Sequence, residues 1–212
     1  MQASDRLSKI KQLIKTNAQS PHTHAQPIFW KPAKLIQRIS SKKHTQQWLS
    51  TQGSLTTQLR LLDPNLEVLV LSEQLERPLT SESQLLKMKP NELAWVRCVL
   101  LRGGGKNWVY ARTVIPNFSD NNPWTSLQTL GNKPLGEVLF QDNTIQRTPF
   151  TFSRQALNLW PYLAIHISVN PTQKIGYARR SVFSQHACQQ NYPLLLTEVF
   201  LPCLLKEVVQ KI

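Results

Sequence analysis

Residues 94–115 read AWVRCVLLRGGGKNWVYARTVI, two apolar runs separated by a short glycine-rich step. Both runs are rich in valine, leucine and aromatic residues, a composition that favours β-strands. The step from Gly103 to Lys106 is therefore interpreted as the turn of an antiparallel hairpin. A phosphate-binding loop fits poorly, because that motif requires serine or threonine after the lysine and Asn107 stands there.

Strand-like runs continue on both sides of this hairpin, whereas helical patterns are few and fall mainly in the N-terminal half. Ser54 is a suitable N-cap for a helix that opens at Leu55, and another helix is predicted to end near Leu49. Strands in hairpin-like succession with few helices predict an α+β fold with a mostly antiparallel sheet. Further strands are predicted in four segments: 65–75 (NLEVLVLSEQL), 148–154 (TPFTFSR), 162–169 (YLAIHISV) and 194–202 (LLLTEVFLP).

The chain carries 25 basic and 12 acidic residues, a formal net charge of +13. Nine of the basic residues fall in the first 43 positions, where Asp5 is the single acid. Such a charge is compatible with nucleic acid, an anionic membrane surface or a small anionic ligand as partner. The basic residues are dispersed, with no run of five, which favours a solvated basic surface and predicts no nucleic-acid partner.

The N-terminal segment differs from the rest of the chain in its pattern. Residues 1–44 are interpreted as a basic extension, made of a short amphipathic helix and a polar linker at 17–27, and residues 45–212 as a single domain. No run of 18 apolar residues and no signal-peptide pattern occurs, so a cytoplasmic protein without stable membrane insertion is predicted. The helical spacing is carried by Leu7, Ile10, Leu13 and Ile14.

Cysteine and histidine usage indicates no metal site. Cys98, Cys188 and Cys203 are widely spaced and form no CxxC pair, which argues against a disulfide framework or a thiolate zinc site. His22 and His24 lie in the polar linker without a third ligand nearby. No metal site is therefore predicted.

Two arginines fall inside the predicted hairpin. If the loop spans Gly103 to Lys106, Arg97 lies directly across from Arg112 on an apolar face. Two facing like charges repel each other unless an anion lies between them. The inference depends on the register, because a slip of one residue abolishes the pairing. The alternative is that one arginine sits at the sheet edge or extends its guanidinium to water.

Glu198 is the sole acidic residue of segment 143–206. It lies in an apolar predicted strand, on the same face as Leu196. A carboxylate in such surroundings must be paired, hydrogen-bonded or protonated. It either forms a structural salt bridge with Arg97 or Arg112, or it is the polar wall of a ligand cavity.

Five segments in order carry a family resemblance: WLSTQGSLTTQLR (48–60), WVRCVLL with ARTVIP (95–116), LQTLGNKPLGEVLF (127–140), ARRSVF (178–183) and PLLLTEVFLP (193–202). Together they resemble the chorismate pyruvate-lyase family, bacterial enzymes that make 4-hydroxybenzoate for ubiquinone. Order and approximate spacing agree over about residues 45–205. The resemblance implies a chorismate lyase-like fold, with a ligand cavity enclosed between the sheet and helix or loop flaps.

The resemblance also implies site residues. The substrate-binding arginine of the family matches Arg97 and its carboxylate matches Glu198, and both are implied to be catalytic. Two backbone contacts to substrate match Leu55 and Leu135, which stand at predicted helix starts, where free N–H groups suit a carboxylate. Three further arginines are candidates for the second substrate carboxylate: Arg112, Arg179 and Arg180.

The implied reaction removes pyruvate from chorismate to give 4-hydroxybenzoate. It aromatises the ring and so needs no metal, no cofactor and no covalent nucleophile. Arg97 and the two leucine amides would bind the ring carboxylate, and Glu198 would hydrogen-bond the ring hydroxyl. Glu198 then either orients a cyclic intramolecular proton transfer or acts itself as acid and base. A monomer is expected.

Two segments depart from the family pattern. Residues 161–178 form an insertion, interpreted as an extended hairpin or loop, and residues 1–44 exceed the short form of the family. The alternative function is a non-catalytic ligand-sensing domain of the same fold, as found in some transcription regulators. Residues 1–44 are short for the DNA-binding domain of such a regulator and are interrupted by SPHTHAQP at 20–27.

Overall fold

The computed structural model describes residues 28–167, 175–187 and 189–207. Within these residues one sheet contains eight strands: β1 (Lys31–Pro32), β2 (Glu67–Glu76), β3 (Ala94–Gly103), β4 (Lys106–Pro116), β5 (Gln146–Arg147), β6 (Thr151–Ala156), β7 (Ile175–Ala187) and β8 (Gln190–Phe200). The α-helices are α1 (Lys43–Ser50), α2 (Leu55–Leu62), α3 (Thr80–Leu85), α4 (Gly136–Leu139) and α5 (Pro202–Glu207). Short 3-10 helices occur at Ala33–Arg38, Pro123–Thr129, Leu157–Leu159 and Ala164–His166.

The sheet is antiparallel at every strand pair among the described residues. The strand order is β1-β6-β7-β8-β4-β3-β2, and β5 also pairs with β7. Short helices pack on this single sheet, which confirms the predicted α+β class. Helix α2 begins at Leu55 as predicted, and the Ser54 hydroxyl accepts a hydrogen bond from the Thr57 amide at 3.3 Å.

The hairpin of β3 and β4 forms as predicted, but its register contains a bulge. The turn residues are Gly104 and Gly105, and Trp108 is the extra residue, because Leu101 pairs with Val109 while Arg102 pairs with Asn107. The Trp108 ring lies over Gly103, where an added Cβ would come within 2.2 Å of it. Only glycine allows this approach.

The bulge makes the predicted facing pair of Arg97 and Arg112 wrong. Beyond the bulge Arg97 pairs with Thr113, and Arg112 pairs with Cys98. Since neighbouring residues of a strand point to opposite faces, a shift of one position sends the two arginines to different sides of the sheet.

Both faces of the sheet are buried. On one face, called the cavity face below, β3 presents Arg97, Val99 and Leu101. On the opposite face it presents a cluster that includes Val96, Cys98 and Leu100. Because helices and loops cover both sides, the central strands have almost no exposed residues.

Most other predicted strands are confirmed, and one is wrong. Segments 65–75, 148–154 and 194–202 overlap β2, β6 and β8. In the described part of 162–169, Tyr162 has a φ of 63° and Ala164–His166 form a 3-10 helix instead of a strand. Leu163 packs with Trp160 in the core of the opposite face, and this packing outweighs the strand propensity of the segment.

The described part of the predicted extension packs on the sheet. Strand β1 pairs with β6, and Ile28 lies in the core of the opposite face. The division of the chain at residue 44 stays a prediction. The amphipathic helix and linker predicted before residue 28 lie outside the described residues.

Candidate active site

A cavity lies on the cavity face, where β3, β4 and β8 form its floor. Its lining contains Leu55, Thr56, Val68, Arg97, Val99, Leu101, Ala111, Thr113, Lys133, Pro134, Leu135, Gly136, Phe140, Leu196 and Glu198. The cover comes from the start of α2 and from the loop that leads into α4. The free volume is about 40 Å³, room for a few water molecules. The four residues first implied by the resemblance therefore meet at one enclosed site.

Arg97 is a buried cation at one end of this site. Its side chain is 4% exposed. The guanidinium donates hydrogen bonds to the carboxylate of Glu73, directly across on β2, and to the backbone carbonyl of Gly131. A guanidinium has five N–H donors, so these two bonds orient the group and leave others for a ligand.

Glu198 lies on β8, two strands from Arg97. Its neighbour in the sheet is Ala111, and Arg97 lies one row away, beside Thr113 and Leu196. Two strand spacings across and two residues along place the Cα atoms of Arg97 and Glu198 at roughly 12 Å from each other. Their side chains reach into the same cavity from its two ends.

The partner of Glu198 is Arg179, and the predicted salt bridge to Arg97 or Arg112 is wrong. Arg179 and Glu198 are opposite residues of β7 and β8, and Arg179 Nε donates to Glu198 Oε2 at 2.6 Å. The Glu198 side chain is 12% exposed. Glu198 is thus held by Arg179 through Oε2 and also lines the cavity.

Leu55 and Leu135 bring two helix starts together. Leu55 is the first residue of α2, and Leu135 is the N-cap of α4. The amides of a first helical turn have no acceptor within their own helix. Gly136 permits the close approach, because a Cβ there would lie 3.0 Å from the Ser54 hydroxyl oxygen.

Arg112 does not reach this cavity. It is buried on the opposite face, where its Nε donates to Glu82 Oε1 at 2.9 Å and its Nη1 to Glu76 Oε1 at 2.8 Å. Burial opposes the charge, but the Glu82 carboxylate together with Cys98 and Tyr110 outweighs burial and raises the pKa of Arg112. This network satisfies the cation that the sequence had assigned to the second substrate carboxylate.

Arg180 also points to the opposite face. Its Nη1 donates to the carbonyl of Ser81 at 3.2 Å, and its guanidinium stacks 4.1 Å from the ring centre of Trp30. Burial lowers the pKa of Arg180 to about 10, against the opposing charge of Glu82. Of the three additional arginines, Arg179 alone lies next to the cavity, through Glu198.

Sequence reasoning missed three residues of the site. Lys133 adds a second cation to the cavity wall, Phe140 adds an aromatic side chain, and Glu73 holds Arg97. Lys133 stands beside the KPLG segment that carries the resemblance, so its position was a usable signal. Glu73 had no such signal in the sequence, because its approach to Arg97 depends on the pairing of β2 with β3.

No group of histidine, cysteine, aspartate and glutamate that could hold a metal ion occurs among the described residues. None of the helices in the same residues is long and apolar enough to span a membrane. Cys98 and Cys203 are free thiols.

Comparison with known proteins finds a family model and relatives that agree with one another. The sequence model of the chorismate lyase family matches residues 24–210. Similar to this chain is a protein from Hydrogenovibrio crunogenus named probable chorismate pyruvate-lyase, 44% identical over 172 residues that cover 81% of this chain and 89% of the relative. A protein of the same name from Thiobacillus denitrificans is 37% identical, with 74% of this chain and 82% of the relative covered.

A comparison of folds finds effector domains of transcription regulators. The effector domain of PhnF from Mycobacterium smegmatis is 7% identical, has a TM-score of 0.47 and is matched over 91% of its length by 72% of this chain. A likeness at this score carries no argument about function.

Proposed function

Since the chain belongs to the chorismate lyase family, we propose that it converts chorismate to 4-hydroxybenzoate and pyruvate. The observation that supports this reaction is the meeting of Arg97 and Glu198 at opposite ends of one cavity. An apolar wall joins the two polar ends, which suits a flat ring with a carboxylate and a hydroxyl at its opposite positions.

Arg97 and the amides of Leu55 and Leu135 bind the ring carboxylate in this proposal. Charge-assisted hydrogen bonds from a buried guanidinium are strong, and helix-start amides add partial positive charge. Lys133 provides the second cation of the cavity wall for the enolpyruvyl carboxylate. Glu198 accepts a hydrogen bond from the ring hydroxyl through the oxygen that Arg179 does not occupy.

The chemical step is an elimination that balances within the substrate. The ring C–O bond to the enolpyruvyl group breaks, and the hydrogen on the neighbouring hydroxyl-bearing carbon leaves as a proton. The ring gains its third double bond, and the departing enolpyruvate takes a proton to become pyruvate. Because aromatisation drives the reaction, the protein has to align the substrate and exclude water, and we expect no cofactor requirement.

The free volume of about 40 Å³ is too small for a ring with two carboxylates. Substrate entry therefore requires movement of the cover, formed by Leu55–Thr56 and residues 133–136. Such movement makes slow product release an expected property of the enzyme. We further propose a cytoplasmic monomer that supplies the ubiquinone ring.

The test mixes the purified protein with chorismate. Pyruvate is followed with a coupled dehydrogenase and 4-hydroxybenzoate by chromatography. Equimolar formation of both products, lost in Arg97→Met and in Glu198→Ala, is the expected result. A folded protein that forms neither product but binds 4-hydroxybenzoate would instead be a non-catalytic binder, which overturns the proposed reaction.

Glu198→Gln separates two roles of this carboxylate. The amide keeps an oxygen that accepts from the ring hydroxyl but cannot take up a proton. If Glu198→Gln keeps the full kcat, acid and base catalysis by Glu198 is excluded and orientation remains.

A further inference from the structure

Arg179 is a buried guanidinium with two sets of partners. On one side its Nε donates to Glu198 Oε2 at 2.6 Å. On the other side its Nη1 lies 2.7 Å from the carbonyl oxygen of Thr51 and 3.4 Å from that of Leu49. The residue is 1% exposed, so these contacts form away from competing water.

The second set of partners belongs to the C-terminal end of α1. Thr51 is its C-cap, and Leu49 lies in its last turn. The last carbonyl groups of a helix have no N–H donor within the helix and carry partial negative charge, so a cation is favourable there. The chain runs from this anchored end to Ser54 and Leu55 within four residues. Arg179 therefore holds the segment that presents the Leu55 amide to the cavity.

Aromatic rings fix the plane of this guanidinium. The centre of Phe150 lies 4.5 Å and that of Phe200 5.5 Å from its central carbon. Arg147 stacks on Phe150 as well, but its Nη2 donates to the side-chain oxygen of Gln52. Arg179 is thus held by two stacking contacts and two polar sets, and it does not line the cavity. It cannot serve as a direct ligand for the second substrate carboxylate without breaking these contacts.

We propose that Arg179 is a positioning residue that aligns both ends of the site at once. Through Glu198 it sets the acceptor for the ring hydroxyl, and through the end of α1 it sets the amide of Leu55 at the ring carboxylate. This inference rests on the proposed function for the identity of the ligand. Its physical basis is that one rigid, planar guanidinium contacts Glu198 on β8 through Nε and the end of α1 through Nη1, so the distance between these two elements is fixed.

Two ligands separate the two ends of the site. Benzoate has the carboxylate alone, so its Kd reports the end formed by Arg97 and Leu55. The ratio of the benzoate Kd to the 4-hydroxybenzoate Kd reports the contact between the hydroxyl and Glu198. Both are measured by titration calorimetry, which requires no turnover.

The variants are Arg179→Gln, Arg179→Lys and Glu198→Gln, with Arg180→Gln as the matched control. Arg180 is the next residue on β7, buried like Arg179, but it faces away from the cavity. Arg179→Gln should weaken benzoate binding and also reduce the ratio, each by about three- to tenfold, the equivalent of one hydrogen bond. Glu198→Gln should reduce only the ratio. Arg180→Gln should change neither.

Arg179→Lys keeps the proposal testable if Arg179→Gln does not fold. A lysine has a single ammonium group that can meet Glu198 but cannot also reach the carbonyls of α1 in fork geometry. Arg179→Lys should keep the ratio of the benzoate Kd to the 4-hydroxybenzoate Kd near that of the unmodified protein, while the benzoate Kd itself rises. An unchanged benzoate Kd in folded Arg179→Lys overturns the link to α1.

The double variant Arg179→Gln/Glu198→Gln completes the test on turnover. If Arg179 acts on chemistry through Glu198, the kcat of the double variant should lie within about threefold of that of Glu198→Gln alone. Fully additive losses in kcat overturn the link through Glu198. If the unmodified protein forms no pyruvate, the proposed reaction fails, whereas the calorimetric ratios still decide whether Arg179 aligns the site.

Discussion

Replacing Arg97 by methionine removes the cation of the carboxylate end and keeps a long unbranched side chain. The guanidinium is buried and bonded to Glu73 and Gly131, so its loss takes away an oriented charged donor. A hydrogen bond from a charged group contributes about 1.5–3 kcal/mol. At about 1.4 kcal/mol for each factor of ten, this corresponds to about a 10- to 150-fold loss in affinity.

The loss should raise the Kd and the KM more than it lowers the kcat. Titration calorimetry with 4-hydroxybenzoate gives the Kd, and the coupled pyruvate assay gives KM and kcat. Thermal melting shows whether the variant is folded, which matters because Glu73 loses its partner. The Glu73 side chain is 25% exposed and can rehydrate, so the folded state should survive.

Arg102→Gln is the matched control for this variant. Arg102 is on the same strand and forms an ion pair with Glu67 at 3.4 Å, with side chains 34% and 68% exposed. Exposed pairs of this kind contribute about 0–1 kcal/mol, and no ligand contact is lost. If folded Arg97→Met binds 4-hydroxybenzoate within twofold of the unmodified protein, Arg97 does not bind the ring carboxylate.

Glu73→Gln keeps a side-chain acceptor for Arg97 but removes the negative charge beside it. The anionic ligand 4-hydroxybenzoate should therefore bind about two- to fivefold more tightly. Weaker binding by titration calorimetry would contradict this expectation. Arg112→Met leaves the buried carboxylate of Glu82 and the half-buried carboxylate of Glu76 without their cation. It should cost about 3–5 kcal/mol in the free energy of unfolding by denaturant titration, with kcat preserved. A loss below about 1 kcal/mol would show that the network is not charged. Burial opposes the ionisation of Glu76, but the charge and hydrogen bond of Arg112 together with the hydrogen bonds from Tyr162 and Gln74 outweigh it and lower the Glu76 pKa from its ordinary 4.5. Its contribution to stability is therefore present above about pH 4.5 and lost as the pH falls through the lower pKa of the folded state, so Glu76→Gln should flatten acid unfolding in this range.

Part of the candidate site could be predicted because its signals are local. The alternation of β8 places Glu198 with Leu196, and both line the cavity. The Ser54 cap predicts the start of α2 at Leu55, which is where the helix begins. These inferences use neighbours in the chain, and tertiary packing did not alter them.

The partners of the buried charges could not be predicted in the same way. A bulge of one residue at Trp108 places Arg97 and Arg112 on opposite faces, and composition does not reveal such a bulge. The sequence offered Arg97 or Arg112 as partners of Glu198, whereas the register of β7 and β8 selects Arg179. A shift of one position in either register would exchange the faces of all these side chains.

The sequence by itself determined the antiparallel α+β class, the hairpin at Gly103–Lys106 and the helix start at Leu55. These follow from turn residues, period-two alternation and capping, which act over a few residues. Only the tertiary structure decided which charge meets which. Arg97 contacts Glu73 because β2 lies beside β3, and Glu198 contacts Arg179 because β7 lies beside β8. Pairings between distant strands depend on the burial of whole faces, and that free energy belongs to no single segment of the chain.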